Sequence, residues 1–384
     1  MADGASQTLL TPLLHSQGKD PALIGGLVAV SGVVSLLMRI PGGLLYSPKR
    51  ARPAMLAAMA VAALATALQP LTGAVGLFAG IRMLYGFGFS VSTTVNMAIF
   101  VDSITRDEDR RRSAGIYASA MSSGYTLGSL AGGFAGQQLG FRTAYLGMAA
   151  LWLVAAVPVL LRPPNLAARA APSGPVVSRG TRVRTFGSVL LEPPILAMIL
   201  GGLFINLNQS LFITFSPLVL LAIGLGVSEI GILRAVFSFT NTLTRPVAGL
   251  ALEHFDHRRA QHAGLLINGG MLMLFALPLG FGPYLAVAVL AASGRGFAIV
   301  ANTVALTQDV DPSRVSRGIA TGILNASLDL GNVAGPVIGG LIASWAGIHT
   351  LWLIAPPLYL FSYFSLQVWT RLQSSPMPGK KRDV

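Results

Sequence analysis

Residues 111–136 and 314–339 read RRSAGIYASAMSSGYTLGSLAGGFAG and RVSRGIATGILNASLDLGNVAGPVIG. At this offset of 203 residues, nine positions are identical, and four of them are glycines. Residues 24–44 and 230–250 align at an offset of 206 and share another nine positions, including the pair Arg39 and Arg245. Apolar composition alone rarely pairs arginines and glycines at nearly one offset. The chain is therefore predicted to contain two related halves, arranged in the same order.

The apolar runs of the chain are long enough to cross a lipid bilayer. Of the 384 residues, 53% are hydrophobic and only 11% are charged, which is too few charges for a soluble enzyme of several domains. A bilayer needs about 20 apolar residues per helix, and the continuous runs exclude the alternating pattern of a β-barrel. An all-α integral membrane protein is predicted, with eleven complete spans near 21–46, 53–71, 75–101, 113–136, 141–161, 193–222, 227–251, 260–280, 283–308, 317–343 and 348–370.

Lysine and arginine residues are concentrated in every second connection. These connections and the C-terminal tail hold 20 of them, whereas the opposite connections hold only Lys19 and Arg142. This bias predicts that the basic connections, the linker and the C-terminus face the cytoplasm. It also accounts for the net charge of +13 without a nucleic-acid partner. We expect a multi-pass protein of the plasma (cell inner) membrane, in contact with anionic lipid.

The first 16 residues are shorter than a complete span. Thr11-Pro12-Leu13 aligns with Ser216-Pro217-Leu218 at an offset of 205, so residues 1–16 are expected to be the outer part of an incomplete first span. The alternative is an eleven-span protein with an external N-terminus. The predicted organisation is an N-terminal helix bundle at 1–161, a cytoplasmic linker at 162–192, a C-terminal bundle at 193–370 and a tail at 371–384.

Three motifs fit one known family of membrane proteins. Residues 82–88 fit the pattern R-x-x-x-G-x-G, and residues 331–340 fit G-x-x-x-G-P-x-x-G-G. Residues 249–259 resemble the loop pattern G-x-L-A-D-R-x-G-R-R, although the first-half copy carries Ser47 and Pro48 where Asp and Arg are expected. With the repeat and the topology, the chain resembles the major facilitator superfamily over nearly its whole length, and within it the drug/proton antiporter branch.

This resemblance implies two pseudo-symmetric six-helix bundles around a central cavity. In a twelve-span numbering, it implies that spans 1, 4, 7 and 10 supply most of the cavity wall. Polar residues on these spans are the candidates for substrate contact, namely Arg82, Tyr85, Asn96, Asn206, Gln209, Arg295 and Asn302. The alternative is that these side chains only hydrogen-bond neighbouring helices. A deeply buried arginine, however, needs water, a carboxylate or an anionic ligand.

Asp329 is the candidate for proton coupling, because it is a carboxylate near the middle of a span. A proton-coupled carrier needs a group that changes charge as access alternates, and a desolvated aspartate suits that role. The alternative is a fixed ion pair with an intramembrane arginine. The candidate gating residues are Arg39, Arg245, Glu253 and Arg258, where the alternative for the two span arginines is snorkelling. Close helix packing is expected at Gly128, Gly132, Gly331, Gly335 and Pro336.

The sequence offers no apparatus for catalysis. It has no cysteine, no phosphate-binding loop motif and no Ser/His/Asp set at one membrane depth, so neither an ATP-driven pump nor another enzyme is expected, and no cofactor or metal. We expect a monomeric secondary transporter of a small solute, with proton-coupled efflux of a drug-like or amphipathic compound. The alternatives are uptake of a small organic anion or metabolite, and an inactive or non-transporting membrane paralogue.

Overall fold

The computed structural model describes residues 1–45, 50–103, 107–161, 192–308 and 317–374. Within these ranges the chain is helical apart from short connections, and it contains no strand. The stretch Asp107–Leu161 is interrupted at Gly140 and therefore counts as two helices, α5 at 107–139 and α6 at 141–161. The other helices are α1 (Ala2–Ser16), α2 (Pro21–Leu45), α3 (Ala51–Leu68), α4 (Val75–Ser103), α7 (Pro193–Ala222), α8 (Val227–Ala251), α9 (His257–Met273), α10 (Phe281–Gln308), α11 (Arg317–Ala346) and α12 (Ile348–Ser374).

The predicted spans correspond in order and place to α2–α12. For example, 21–46 corresponds to Pro21–Leu45, and 193–222 corresponds to Pro193–Ala222. The predicted span 260–280 ends early, because a short 3₁₀ turn at Leu274–Ala276 precedes Pro278, and a helix usually ends before a proline. The all-α fold expected from the apolar runs is confirmed.

Eight helical stretches of described residues are long and apolar enough to cross a membrane. One of them, Ile116–Leu161, contains most of α5 and all of α6. Helices α8 and α9 are less apolar, since α8 carries Arg234 and Arg245 and α9 begins with basic residues. These two helices complete the second bundle and bury polar side chains against their neighbours.

At one end of the molecule, equivalent connections in the two halves contain a glycine with a positive φ. Gly18 joins α1 to α2 with φ 71°, and Gly224 joins α7 to α8 with φ 79°. Gly140 and Gly347 do the same for α5–α6 and α11–α12, with φ 76° and 89°. Glycine adopts these left-handed angles without the steric cost that a Cβ atom brings. We call this end of the molecule the glycine end, and the end that carries the basic connections the basic end.

The two halves, α1–α6 and α7–α12, meet along two equivalent helix pairs. Helix α2 packs against α11, and α5 packs against α8. Near the glycine end, the Val227 amide donates a hydrogen bond to Gln137 Oε1 at 2.8 Å. A Cβ atom placed on Gly340 would lie 2.7 Å from the Pro21 carbonyl oxygen, so α11 and α2 are also in backbone contact there. The halves are therefore closed against each other at the glycine end.

The predicted linker and tail fall largely outside the described residues, which end at 161, resume at 192 and stop at 374. The domain boundaries therefore stay predictions. The backbone of Arg39 lies in α2, but its side chain is also outside the described set.

Candidate functional site

Arg82 lies at the centre of a polar cluster in the N-terminal half. It is 1% exposed, and its guanidinium donates hydrogen bonds to the Ser31 hydroxyl and to the Leu27 carbonyl oxygen, both in α2. Its Cζ atom lies 5.2 Å from the centre of the Tyr85 ring, which is the distance of a cation–π contact. Arg82 and Tyr85 are three residues apart in α4, so one face of that helix carries both side chains.

Tyr85 connects this cluster to α1. Its hydroxyl donates a hydrogen bond to Asp3 Oδ1, and the ring stacks on Phe89 with centroids 6.1 Å apart. Asp3 also interacts electrostatically with Arg82 and with Arg234 of α8, so a carboxylate and two guanidinium groups act on one another here. The cluster therefore contains a group able to bind a proton. We call Asp3, Ser31, Arg82 and Tyr85 the N-cluster.

A second cluster lies in the C-terminal half, around Arg295 of α10. Its Nη1 donates a hydrogen bond to Asn241 Oδ1 of α8 at 3.1 Å, and its Nη2 donates one to Asn206 Oδ1 of α7 at 2.8 Å. Asn206 in turn donates to the Leu328 carbonyl oxygen of α11 at 3.1 Å. All three side chains are buried. We call Asn206, Asn241 and Arg295 the C-cluster.

Arg234 of α8 joins the two halves directly. Its Nη1 donates a hydrogen bond to the Gln7 carbonyl oxygen of α1. The residue is 7% exposed, so the contact is buried. Hydroxyl pairs lie along the neighbouring α5–α8 contact, where Thr126 Oγ1 donates to Ser238 Oγ at 3.3 Å. The faces of the two halves are thus held by polar contacts as well as by apolar packing.

Asn302 lies apart from both clusters. It is 0% exposed, accepts a hydrogen bond from Gln261 Nε2 of α9 at 3.1 Å and donates one to the Met198 carbonyl oxygen at 3.3 Å. These contacts place Asn302 between α7, α9 and α10. This position favours the packing alternative over direct substrate contact for this residue.

The remaining predicted site residues are more dispersed. Gln209 and Asp329 are half-buried, and Asn96 is exposed and hydrogen-bonded to Tyr117 of α5. The side chains of Arg245, Glu253 and Arg258 are exposed, and Arg245 is close enough to Arg295 for the two charges to repel. Within the described ranges, no three histidine or acidic side chains lie close enough together to hold a metal ion.

The glycines expected at helix contacts lie where two backbones approach closely. A Cβ atom on Gly128 or Gly132 would meet α1, at Met1 and at Ala5. On Gly331 or Gly335 it would meet α7, for instance 2.7 Å from the Leu207 carbonyl oxygen. The crossings α1–α5 and α7–α11 are therefore equivalent in the two halves. The Pro336 carbonyl faces Gly25 of α2 in the other half.

Sequence reasoning missed six of the residues that build the site, namely Asp3, Gln7, Ser31, Arg234, Asn241 and Gln261. Asp3 and Gln7 lie four residues apart in α1, but Gln7 acts through its backbone carbonyl oxygen, so the spacing of side chains could not have identified it. Asn241 lies one turn from Arg245 on α8, a helical spacing that could have identified it. Gln261 lies at the start of the predicted span 260–280 and belongs to none of the motifs.

The fold and the buried polar clusters at the faces of its two halves define a multi-pass membrane transporter. The chain belongs to the Major Facilitator Superfamily, whose sequence profile matches residues 1–315 and 198–383. The resemblance inferred from the motifs is therefore confirmed.

Two curated relatives match part of the chain. A stretch of 161 residues, 40% of this chain, is 26% identical to the multi-drug resistance efflux pump PmrA of Streptococcus pneumoniae serotype 4 (strain ATCC BAA-334 / TIGR4). The match to PmrA of the strain ATCC BAA-255 / R6 has the same extent. The chain thus matches 39% of the length of these relatives.

Solved structures match almost the full length. The nucleoside transporter NupG superposes with a TM-score of 0.77 at 15% identity, covering 96% of both chains. A bacterial homolog to the human lysosomal transporter Spinster, in an inward-facing and unoccupied conformation, superposes with a TM-score of 0.77 at 19% identity. It covers 98% of this chain and 96% of that one. At these identities the likeness shows the fold alone.

Proposed function

We propose that this chain exports an amphipathic, drug-like compound in exchange for protons, by alternating access between its two halves. The observation that carries the proposal is the hydrogen bond from Tyr85 to Asp3, because it holds a carboxylate where it acts electrostatically on Arg82 of one half and on Arg234 of the other. The partial match to the multidrug efflux pump PmrA supports the substrate class and the direction.

Protonation of Asp3 would change the attraction between the halves. When ionised, the Asp3 carboxylate attracts the guanidinium groups of Arg82 and Arg234. The other titratable groups that act on this cluster are the hydroxyls of Tyr85, Tyr125 and Tyr145 and the Met1 amino group. A proton on Asp3 removes the negative charge and with it the attraction between Asp3 of α1 and Arg234 of α8, which favours separation of α1 from α8. A proton gradient can then shift the balance between two conformations, because the proton binds one of them more tightly.

Asp329 is the second coupling candidate. It is half-buried in α11, the helix that packs against α2 of the other half. A carboxylate at such a contact changes the interaction between the halves when it titrates. The candidate gate, Arg39, Arg245, Glu253 and Arg258, lies in α2 and around the α8–α9 connection, at the basic end.

The test is gradient-driven flux in vesicles reconstituted with the purified full chain. Flux is measured for a panel of aromatic amphiphiles that share one ring system and differ in charge, with and without a pH difference. The variants D3N and D329N are compared with D20N, a matched control at an exposed aspartate outside both clusters. The proposal predicts that D3N loses the pH-driven component while D20N keeps it.

The outcomes distinguish proton-coupled efflux from uptake and from a protein that does not transport. Unchanged pH-driven flux in both D3N and D329N overturns proton coupling through these carboxylates. Flux in the wild type that runs only inward favours uptake over efflux. The absence of flux for every amphiphile in the wild type would overturn the proposal and favour the non-transporting paralogue.

A further inference from the structure

The hydrogen-bonding capacity of Arg295 is only partly used. A guanidinium group has five N–H donors in one plane, and Arg295 directs hydrogen bonds to the amide oxygens of Asn206 and Asn241. Its Nε atom is buried, and in the described part of the chain it has no hydrogen-bond partner. A planar edge with free N–H groups matches the two oxygens of a carboxylate or phosphate.

Among the described residues, no opposite charge acts on Arg295. Both amide partners are neutral, and the described charge that acts on Arg295 is the cation of Arg245, which repels it. Arg82 in the other half differs, because Asp3 acts on it with the opposite charge. A buried cation is costly unless an opposite charge or water accompanies it. Nη1 of Arg82 is likewise buried without a hydrogen-bond partner among the described residues, but a carboxylate, Asp3, acts on Arg82. No described carboxylate acts on Arg295, so the C-cluster is the one that lacks an anion.

Access to the C-cluster is expected from the basic end. Arg245 lies one helical turn from Asn241 on α8, on the side of the basic connections, and its side chain is exposed. The halves are closed at the glycine end, so a solute would reach Arg295 past Arg245. The two cations then form a path of positive charge that attracts an anion towards the C-cluster.

We propose that the C-cluster binds an anionic group of the transported solute, a carboxylate or a phosphate, through the guanidinium of Arg295. Asn206 and Asn241 hold the plane of the guanidinium, and Arg245 supplies the second positive charge. This inference rests on the proposed function and names its substrate class, an amphipathic anion. It assigns the anion to Arg295, because Asp3 already acts on Arg82 with the opposite charge.

The test compares three probes with the same ring and different charge, namely 2-naphthoate, 2-naphthyl phosphate and 2-naphthamide. Binding to the purified full chain is measured by equilibrium dialysis in neutral detergent at constant ionic strength, and the change in Tm is measured in parallel. We expect the two anions to bind at least tenfold more tightly than the amide and to raise the Tm. We expect R295Q to remove both effects, R295K to keep part of them, and R142Q, a matched control at an exposed arginine outside both clusters, to keep them in full.

Several results would overturn the proposal. They are equal binding of naphthoate and naphthamide to the wild type, the absence of an anion-dependent Tm shift, and unchanged anion binding by R295Q. If R295Q does not fold, R245Q replaces it, and unchanged naphthoate binding by R245Q then counts against the proposal. Repeating the assay with and without anionic lipid distinguishes a solute anion from a lipid headgroup, because headgroup binding would make the probe effect vanish in the presence of that lipid.

The failure of this inference can be told apart from the failure of the proposed function. The binding assay needs no gradient and no flux. Anion binding without any flux would retain the C-cluster site and remove the transport proposal. Conversely, pH-driven flux of a cationic amphiphile that R295Q leaves unchanged would retain transport and remove the anion site.

Discussion

Gly25 and Gly231 occupy equivalent positions in the two halves, and each packs against the backbone of a helix in the opposite half. A Cβ atom on Gly25 would overlap the Pro336 carbonyl oxygen of α11, and one on Gly231 would lie 2.7 Å from the Ser129 carbonyl oxygen of α5. The residues are 206 positions apart, which is the offset of the internal repeat. Residues related by the sequence repeat therefore make equivalent contacts between the halves. These contacts lie towards the glycine end.

We predict that G25V and G231V open the glycine end. Forcing a side chain into a close-packed contact costs about 1–3 kcal/mol, which corresponds to a roughly 5–150-fold shift between two conformations. The chain has no cysteine, so the pair T126C/S238C can report closure by disulfide formation without other thiols. The hydroxyls of these residues are 3.3 Å apart across α5 and α8. Disulfide yield should fall in both variants.

The control for this prediction is G26A. A Cβ atom on Gly26 would meet nothing within 4 Å, although Gly26 is adjacent to Gly25. Disulfide yield in that background should match the parent pair. An equal fall for G26A and G25V would mean that the loss reflects general destabilisation of α2.

A second glycine contact should govern the stability of the C-terminal half. Gly264 of α9 and Gly294 of α10 face each other, since a Cβ atom on either would lie 2.6–2.7 Å from the carbonyl oxygen of the other. We predict that G264A and G294A each lower the free energy of unfolding by about 1–3 kcal/mol. Thermal unfolding in detergent measures this. G270A, where the added Cβ meets nothing within 4 Å, should be neutral or stabilising, because alanine favours a helix over glycine.

The helices could be predicted because each membrane-spanning helix needs an apolar run long enough to cross the hydrocarbon core of the bilayer. Pro21–Leu45 and Pro193–Ala222 match their apolar runs closely for that reason. The clusters could be predicted only in part. Helical spacing places Arg82 and Tyr85 on one face, but it does not give the partner of that face. The partners of Arg295 are 54 and 89 residues away in sequence, and only the packing of α7, α8 and α10 brings them together.

The role of Asp3 could not be predicted from the sequence either. Its helix, α1, has only 15 residues. So short an apolar segment does not mark its single carboxylate as lying within a membrane span. Its role depends on Tyr85, which is 82 residues away. The repeat aligns residues 11–13 with 216–218, and the packing has the same correspondence, since α1 crosses α5 and α7 crosses α11 at glycines.

Asp256 should stabilise the start of α9 in a pH-dependent way. Its side chain accepts a hydrogen bond from the Arg259 amide at 2.8 Å, and this bond lowers the pKa of Asp256, which lies in the connection before the helix. A lowered pKa means that the contribution to stability is present above the ordinary aspartate pKa and is lost as the pH falls through the lowered value. We predict that D256A lowers the free energy of unfolding by about 1 kcal/mol at neutral pH. The difference from the wild type should shrink in acid, whereas D256N, which retains a capping oxygen, should stay close to the wild type at neutral pH.

Arg234 should control how readily the halves separate, because it is the side chain of α8 that bonds the backbone of α1. Its hydrogen bond to the Gln7 carbonyl oxygen and its attraction to Asp3 both act across the boundary between the halves. Removing the charge removes both interactions, so we predict that R234Q lowers the disulfide yield of T126C/S238C. A hydrogen bond to a charged group contributes about 1.5–3 kcal/mol, so the equilibrium should shift roughly tenfold or more towards the open conformation, and the yield should fall accordingly. R234K retains the charge and should lose less. If R234Q and R234K reduce the yield equally, then the planar guanidinium matters more than its charge. If neither changes it, then Arg234 does not hold the halves together, and the attraction between Asp3 and Arg234 cannot transmit protonation to the closure of the transporter.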